Sequence, residues 1–167
     1  SAATPDAGSG DLSLLSLATP TPMPGAEVYR LRPTTSNAGW WLDAAPDKSN
    51  LNDSFLYAGA LNGANYMGGA RFDLSRIARG APILSGSLTL TGLREDQLNR
   101  DVPATWLVQL IGENELAALT GANFMALYSA PASITLQPQL TLADVGAGKV
   151  NTWQLDGNVL RWLEQQR

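Results

Sequence analysis

A strict alternation of apolar and hydroxyl side chains between residues 84 and 91 is the feature that most constrains the fold of this chain. Leu84, Leu88 and Leu90 lie on one side of an extended backbone. The other side carries hydroxyl groups, at Ser85, Ser87, Thr89 and Thr91. A period of two residues is typical of a strand that packs one face on a core and exposes the other. The pattern therefore predicts a half-buried strand in a sheet.

Short apolar segments recur between Gly, Asn and Pro turns throughout residues 27–167. Many short strands separated by such turns are typical of a sandwich or jelly roll. We therefore predict an all-β, jelly-roll-like β-sandwich with short helices, preceded by an extended N-terminal tail. The predicted strands are 28–32, 40–43, 54–60, 66–74, 83–93, 105–112, 134–136 and 150–155. Two short helices are also predicted, at 114–119 and after a capping Asp156.

Composition narrows the classes of function. The 167 residues suffice for one domain and an appendage. The net charge of -4 argues against nucleic-acid binding, since Lys occurs only at positions 48 and 149. Cys and His are both absent, which removes thiolate nucleophiles, most zinc sites and the commonest general base. We predict no nucleic-acid partner and no enzymatic activity.

Residues 1–26 form a tail rich in Ala, Ser, Thr, Pro and Gly. The prolines within 18–25 favour an extended polyproline II backbone. One apolar island interrupts the tail, at Leu12, Leu14, Leu15 and Leu17. It predicts a short strand at 11–18 that requires a surface to bury against. A single helical turn capped by Asp11 is the alternative interpretation.

Two sequence segments resemble the central hairpin of the DNRLRE family of bacterial extracellular β-sandwich domains. They are Arg71-Phe72-Asp73-Leu74-Ser75 and Gly80-Ala81-Pro82-Ile83-Leu84-Ser85-Gly86-Ser87-Leu88-Thr89-Leu90. The likeness extends over about residues 27–167 and includes the segments 53–59 and 150–153. It implies an extracellular or cell-surface protein, exported with its signal peptide removed. No apolar run approaches the ~20 residues that span a bilayer, so no membrane span is expected.

Domains that are similar to this one continue past the closing helix into further strands, whereas this chain stops at Arg167. We therefore expect an open sheet edge. The segment 11–18 of one copy is predicted to fill the edge of the next copy as a donor strand. Head-to-tail contacts of this kind propagate, which predicts a non-catalytic structural protein that forms a surface filament, a homopolymer of this chain. The alternatives are a tail that folds back on its own sandwich and missing strands on a separate piece.

Aromatic residues indicate a second possible function. Trp40 and Trp41 are adjacent, so a strand would point one into the core and the other outward. An outward Trp can stack on a sugar, and Tyr57, Tyr66 and Trp106 are candidates to extend that surface. Some relatives in the DNRLRE family resemble polysaccharide-binding modules, so a carbohydrate-binding module is the alternative function. The competing interpretation places these rings in the core.

Acidic side chains suggest one metal site. Asp43, Asp47 and Asp53 lie in a turn-rich segment, and Ca²⁺ prefers such oxygen ligands. The spacing does not match an EF-hand, and turn residues that bond their own backbone explain the same composition. Two acidic pairs, Glu95 with Asp96 and Glu113 with Glu115, fall in turns where solvated carboxylates are usual. We predict that no cofactor is required, with Ca²⁺ as the only candidate ion.

Overall fold

The computed structural model describes residues 24–53, 55–96, 98–115 and 121–167. The strands of these residues pair in several antiparallel sheets, and the α-helices among them are two and short. The predicted all-β class is therefore confirmed. The finer jelly-roll arrangement stays a prediction. The apolar island at 11–18 lies outside the described residues.

A four-stranded antiparallel sheet begins the described fold, after a 3-10 turn at Thr35–Asn37. Its strands are β1 (Ala38–Leu42), β2 (Ser49–Leu51), β3 (Gly59–Leu61) and β4 (Ala64–Ala70), in the spatial order β2-β1-β4-β3. Asn62 and Gly63 connect β3 to β4 with φ angles of 52° and 77°. Two left-handed residues match the twist of a tight hairpin, and Asn-Gly is the dipeptide that adopts them most readily. The local sequence therefore specifies this hairpin.

The remaining strands form three two-stranded antiparallel pairs. In chain order they are β5 (Ser87–Thr91), β6 (Thr105–Trp106), β7 (Gln109–Leu110), β8 (Ile134–Thr135), β9 (Leu140–Thr141) and β10 (Val150–Gln154). β5 pairs with β10, β6 with β9, and β7 with β8. The two helices are α1 (Phe124–Ser129) and α2 (Gly157–Gln165).

One apolar cluster joins the four-stranded sheet to α1. Trp41 is 0% exposed and packs with Phe124 and Leu127 of the helix. The Trp41 indole Nε1 donates a hydrogen bond of 2.8 Å to the carbonyl oxygen of Ala122. Asn123 caps α1, because its side-chain oxygen accepts from the backbone N–H of Ala126 at 2.8 Å. This helix was not predicted from the sequence.

A second apolar cluster lies between the β5–β10 pair, α2 and the segments around β6 to β9. Its buried members are Leu136, Leu140, Trp153 and Val159. On β5 the predicted alternation is confirmed for residues 87–91: Leu88 and Leu90 are half-buried against this cluster, while Ser87, Thr89 and Thr91 are exposed. The hydrophobic effect on alternate side chains therefore fixes which face of β5 is inward. The strand predicted at 83–93 is shorter than expected, and Leu84, predicted on the buried face, lies before it and is 53% exposed.

The predicted cap of the closing helix is confirmed. One carboxylate oxygen of Asp156 accepts from the backbone N–H groups of Asn158 and Val159 at 2.8 and 3.0 Å. The helix also holds the loop that precedes β5. Glu164 accepts from the N–H of Ile83 at 2.7 Å, and the Arg167 guanidinium donates to the Ala78 carbonyl at 2.7 Å.

Several predicted boundaries were wrong. Residues 28–32 pair with no strand of the described chain, and Val28 is 69% exposed. The strand predicted at 54–60 forms only at Gly59–Leu61, and the one predicted at 105–112 forms as β6 and β7. A pattern of period two specifies an extended backbone, but a strand also requires a neighbouring backbone to pair with. The helix predicted at 114–119 falls largely outside the described residues.

Within the part of the chain that the structure describes, neither α1 nor α2 has the length and apolar character required to cross a bilayer.

We predict that Trp41→Ala lowers the free energy of unfolding by about 3–5 kcal/mol, because it leaves a large cavity between β1 and α1. Urea unfolding followed by circular dichroism measures this change. The matched control is Val28→Ala, which removes an exposed side chain and should change stability by less than about 0.5 kcal/mol. Equal effects of the two substitutions would contradict the proposed core.

Candidate functional site

The adjacent tryptophans of β1 lie on opposite faces of the sheet. Trp41 enters the core and is 0% exposed, so it is not available to a ligand. Trp40 lies on the other face and is half-buried. Of the two sugar-binding candidates on β1, Trp40 is therefore the one at the surface.

Asp53 fixes the position of the Trp40 ring. One oxygen of its carboxylate accepts a hydrogen bond of 2.9 Å from the Trp40 indole Nε1. The other oxygen accepts from the backbone N–H of Phe55 at 3.2 Å. The Asp53 carboxylate thus joins the Trp40 ring to the backbone at Phe55. This contact also satisfies the one polar group of the indole, which leaves only its carbon surface to interact with other molecules.

Tyr57 and Tyr66 lie next to Trp40, and Phe55 lies next to Tyr57. We call the four rings together the aromatic cluster: Trp40, Phe55, Tyr57 and Tyr66. Tyr57 meets Trp40 edge to face, with ring centroids 5.3 Å apart and an interplanar angle of 80°. Tyr66 lies 5.6 Å from Trp40 and 6.3 Å from Tyr57. Such spacings are typical of favourable aromatic pairs. The structure therefore brings Trp40, Tyr57 and Tyr66 together.

Phe55 is the member of the cluster that sequence reasoning missed. It is 43% exposed, and its ring centroid lies 6.5 Å from that of Tyr57. A signal for it was present in the sequence. Residues two apart on an extended backbone share a face, so the spacing of Phe55 and Tyr57 could have placed them on the same side.

Gly68 explains why the segment 55–57 lies beside Trp40. It stands opposite Trp40 in the β1–β4 register. A Cβ at this position would lie 2.9 Å from the Leu56 Cβ and 3.2 Å from the Tyr57 carbonyl oxygen. Because glycine lacks that atom, the backbone of 55–57 can cross closely over β4. Residues 55–58 of the strand predicted at 54–60 lie in this crossing segment and form no strand.

A charged pair lies near the Tyr57 end of the cluster. The Arg94 guanidinium forms two hydrogen bonds with the Asp96 carboxylate, of 2.9 and 2.5 Å. The hydrogen bond from Arg94 lowers the pKa of Asp96 below its ordinary value. The pKa of Arg94 is raised, mainly by Asp96 and to a smaller degree by the Tyr57 hydroxyl. The pair therefore stays ionised at neutral pH and presents both donors and acceptors to solvent.

Two of the three acidic residues considered for calcium, Asp43 and Asp53, have protein partners instead. Asp43 accepts hydrogen bonds from the backbone N–H and the side-chain amide of Asn65, at 2.9 and 2.6 Å. Asp53 binds Trp40 and Phe55 as described above, and Asp47 is exposed. Within the described residues, no three acidic side chains come close enough together to hold a metal ion. Calcium binding at these residues therefore stays a prediction.

Three members of the two acidic pairs noted in the sequence, Glu95, Asp96 and Glu113, form surface ion pairs. Glu95 contacts Arg100 at 3.3 Å, and Glu113 contacts Arg71 at 2.7 Å. Their side chains are more than half exposed. Glycoside hydrolysis requires two carboxyl groups that face each other across the sugar. Each of these carboxylates faces a guanidinium instead.

Trp106 does not join the aromatic cluster. It packs in the second apolar cluster, and its indole Nε1 donates to the Ala58 carbonyl at 2.9 Å. This bond ties β6 to the segment that carries Tyr57. Trp106 therefore supports the segment that carries Tyr57 but is not part of the aromatic cluster. The predicted donor residues Leu12, Leu14, Leu15 and Leu17 lie outside the described residues.

No protein-family model matches this chain. Comparison with curated proteins and with solved structures also finds no match. The resemblance to DNRLRE domains therefore stays a prediction, and function is inferred from the geometry of the described residues.

We predict that Asp53→Ala frees the Trp40 ring. The indole N–H of Trp40 loses its acceptor and should exchange with solvent faster, while the indole of Trp41 keeps its bond to Ala122. Hydrogen exchange of the two indole N–H signals by NMR measures this difference within one molecule. Unchanged exchange at Trp40, or an equal increase at Trp41, would contradict the role assigned to Asp53.

We predict that Asp43 titrates below its ordinary value of 3.8, because the Asn65 backbone and side chain bond its ionised form. A lowered pKa in the folded state stabilises the fold above the unfolded-state pKa, and this contribution is lost as pH falls through the folded value. NMR titration of the Asp43 carboxyl carbon measures it. Asn65→Ala should move the pKa part of the way back, because the backbone N–H remains; a pKa at or above 3.8 in the parent protein would contradict the geometry.

Proposed function

We propose that this chain is a non-catalytic carbohydrate-binding β-domain of an exported protein, which recognises a polysaccharide at the aromatic cluster. The observation that carries the proposal is the outward Trp40 ring, which Asp53 fixes and Tyr57 and Tyr66 flank, with Phe55 beside Tyr57. Rings that are already held in place lose little conformational entropy when a ligand packs against them.

The chemistry of the cluster suits a sugar polymer. A pyranose has apolar C–H faces and a rim of hydroxyl groups, so it pairs an aromatic surface with nearby donors and acceptors. The cluster supplies carbon surface at Phe55 and phenolic hydroxyls at Tyr57 and Tyr66. The exposed Arg94–Asp96 pair supplies charged donors and acceptors beside Tyr57.

An extended, largely uncharged polymer fits the cluster better than a charged ligand. The four rings come from three separate segments, β1, residues 55–57 and β4, and adjacent centroids lie 5.3–6.5 Å apart. Only 16% of all residues are charged, and the net charge is -4. Uncharged hydroxyl and amide groups therefore supply much of the polar surface, which suits a neutral partner.

The sequence resemblance supports the same proposal. DNRLRE-type domains are extracellular, and some resemble polysaccharide-binding modules. We accordingly propose that this chain acts outside the cell or at the cell surface. The filament predicted from the tail is a separate matter, because residues 11–18 lie outside the described part of the chain.

Binding to a panel of immobilised polysaccharides tests the proposal. We expect the full chain to be retained by at least one glycan, and Phe55→Ala and Tyr57→Ala each to weaken that binding about tenfold or more, as for an aromatic anchor. The matched control is Tyr128→Ala on α1, which removes a ring that is 69% exposed and should leave binding unchanged.

Two outcomes would overturn the carbohydrate proposal. One is the absence of retention on every glycan, with circular dichroism confirming a folded chain. The other is equal loss of binding in the Tyr128→Ala control, which would show that the aromatic cluster has no special role. Release of shortened sugars by the pure protein would separately refute the non-catalytic part of the proposal.

A further inference from the structure

The β5–β10 pair leaves the outer edge of β5 unpaired within the described residues. Gly92 N–H donates to Lys149 O at 2.8 Å, and Leu155 N–H donates to Gly86 O at 2.9 Å, at the two ends of the ladder. Hydrogen-bonded and non-hydrogen-bonded pairs alternate in an antiparallel ladder. The backbone groups of the odd-numbered positions 87, 89 and 91 therefore point away from β10. No other described strand pairs with them.

The incompletely buried apolar side chains of this pair also lie on β5. On β10, the inward Trp153 is only 3% exposed. On β5, the inward Leu88 and Leu90 are only half-buried, and Leu84, which precedes the strand, is 53% exposed. An additional strand along β5 would cover Leu88 and Leu90. On β10 the inward neighbours are the buried Trp153 and the polar, half-buried Asn151, so an additional strand there would cover less apolar surface.

Such an edge is a template for strand addition. Unpaired N–H and C=O groups next to apolar side chains favour pairing with another extended segment. Natural proteins protect exposed edges with charges or prolines. β5 carries neither, since its residues are Ser87, Leu88, Thr89, Leu90 and Thr91.

We propose that residues 11–18 of a second copy of this chain occupy the outer edge of β5. The segment reads Asp-Leu-Ser-Leu-Leu-Ser-Leu-Ala and contains neither Pro nor a basic residue. Its leucines alternate with serines on either side of the Leu14–Leu15 step. One bulge at that step would turn all four leucines toward the half-buried face of β5 and both serines toward its hydroxyl face.

The sequence after the segment favours a neighbour over the same molecule. Pro20 and Pro22 alternate with Thr19 and Thr21, which predicts a short semi-rigid, extended segment of about 3.1 Å per residue before the turn at 24–25. A segment of this kind would hold the leucines away from the residues that join the tail to its own domain. Proline also lacks the N–H that a strand needs, so pairing ends before Pro20. A contact between the tail of one copy and β5 of the next repeats from copy to copy and builds a homopolymer.

Disulfide trapping in the full chain tests this pairing, because the natural sequence contains no cysteine. Ser13→Cys is combined with Ser87→Cys, Thr89→Cys or Thr91→Cys, so that the register need not be known. We expect at least one combination to give a covalent ladder of dimers and larger species on oxidation. The control combines Ser13→Cys with Thr152→Cys, which pairs with Thr89 from β10. It lies two strand spacings, about 9–10 Å, from an added strand, beyond the reach of a disulfide.

The pattern of cross-links decides the outcome. A ladder with the β5 positions but not with Thr152→Cys supports the proposal. A cross-link within single chains assigns the segment to its own domain and overturns it. A ladder with Thr152→Cys alone moves the contact to β10, and no cross-link at any β5 position excludes the segment from this edge.

Sedimentation of charge variants gives an independent test that leaves the described fold unaltered. We expect the parent chain to associate more as its concentration rises, and Leu14→Lys combined with Leu15→Lys to weaken association at least tenfold. The control, Thr4→Lys combined with Ala7→Lys, adds the same charge to the tail outside the leucine segment and should behave like the parent. A parent chain that stays monomeric at all concentrations, or equal loss in the control, would overturn the proposal.

Discussion

The burial of Trp41 is the contact on which the candidate binding surface depends. Its ring is fully enclosed between β1 and α1, and its indole bonds the Ala122 carbonyl. Because neighbouring side chains of a strand point to opposite faces, an inward Trp41 requires an outward Trp40. The position of Trp40 at the surface is therefore a consequence of core packing on the far side of the sheet. Asp53 then restricts the ring to one orientation.

The charged groups near the aromatic cluster contribute less than the rings. The side chains of Arg94 and Asp96 are 59% and 56% exposed. Exposed ion pairs contribute about 0–1 kcal/mol, since water screens them and ordering two long side chains costs entropy. Carbon surface removed from water contributes in proportion to its area. Affinity for a polysaccharide would thus come from the rings, while the polar groups would select among sugars.

The two proposed surfaces belong to different sheets, so one can operate while the other is occupied. The aromatic cluster is built on β1 and β4, and the proposed docking edge is β5. A homopolymer joined through β5 would repeat the cluster along its length. Repeated weak sites that engage one extended polymer raise the overall affinity without any new contact at each site. Self-assembly and carbohydrate binding are therefore compatible functions of one chain.

The sequence by itself determined the features that depend on neighbouring residues: the all-β class, the alternation on β5, the cap at Asp156 and the division of Trp40 from Trp41 between two faces. Periodicity and capping are local, so they are legible without a structure. Only the tertiary structure decided which tryptophan is buried, that residues 28–32 pair with no described strand, and that Gly68 admits the segment with Tyr57 beside Trp40. Each of these outcomes depends on a backbone or side chain distant in sequence, because pairing and close packing require two surfaces.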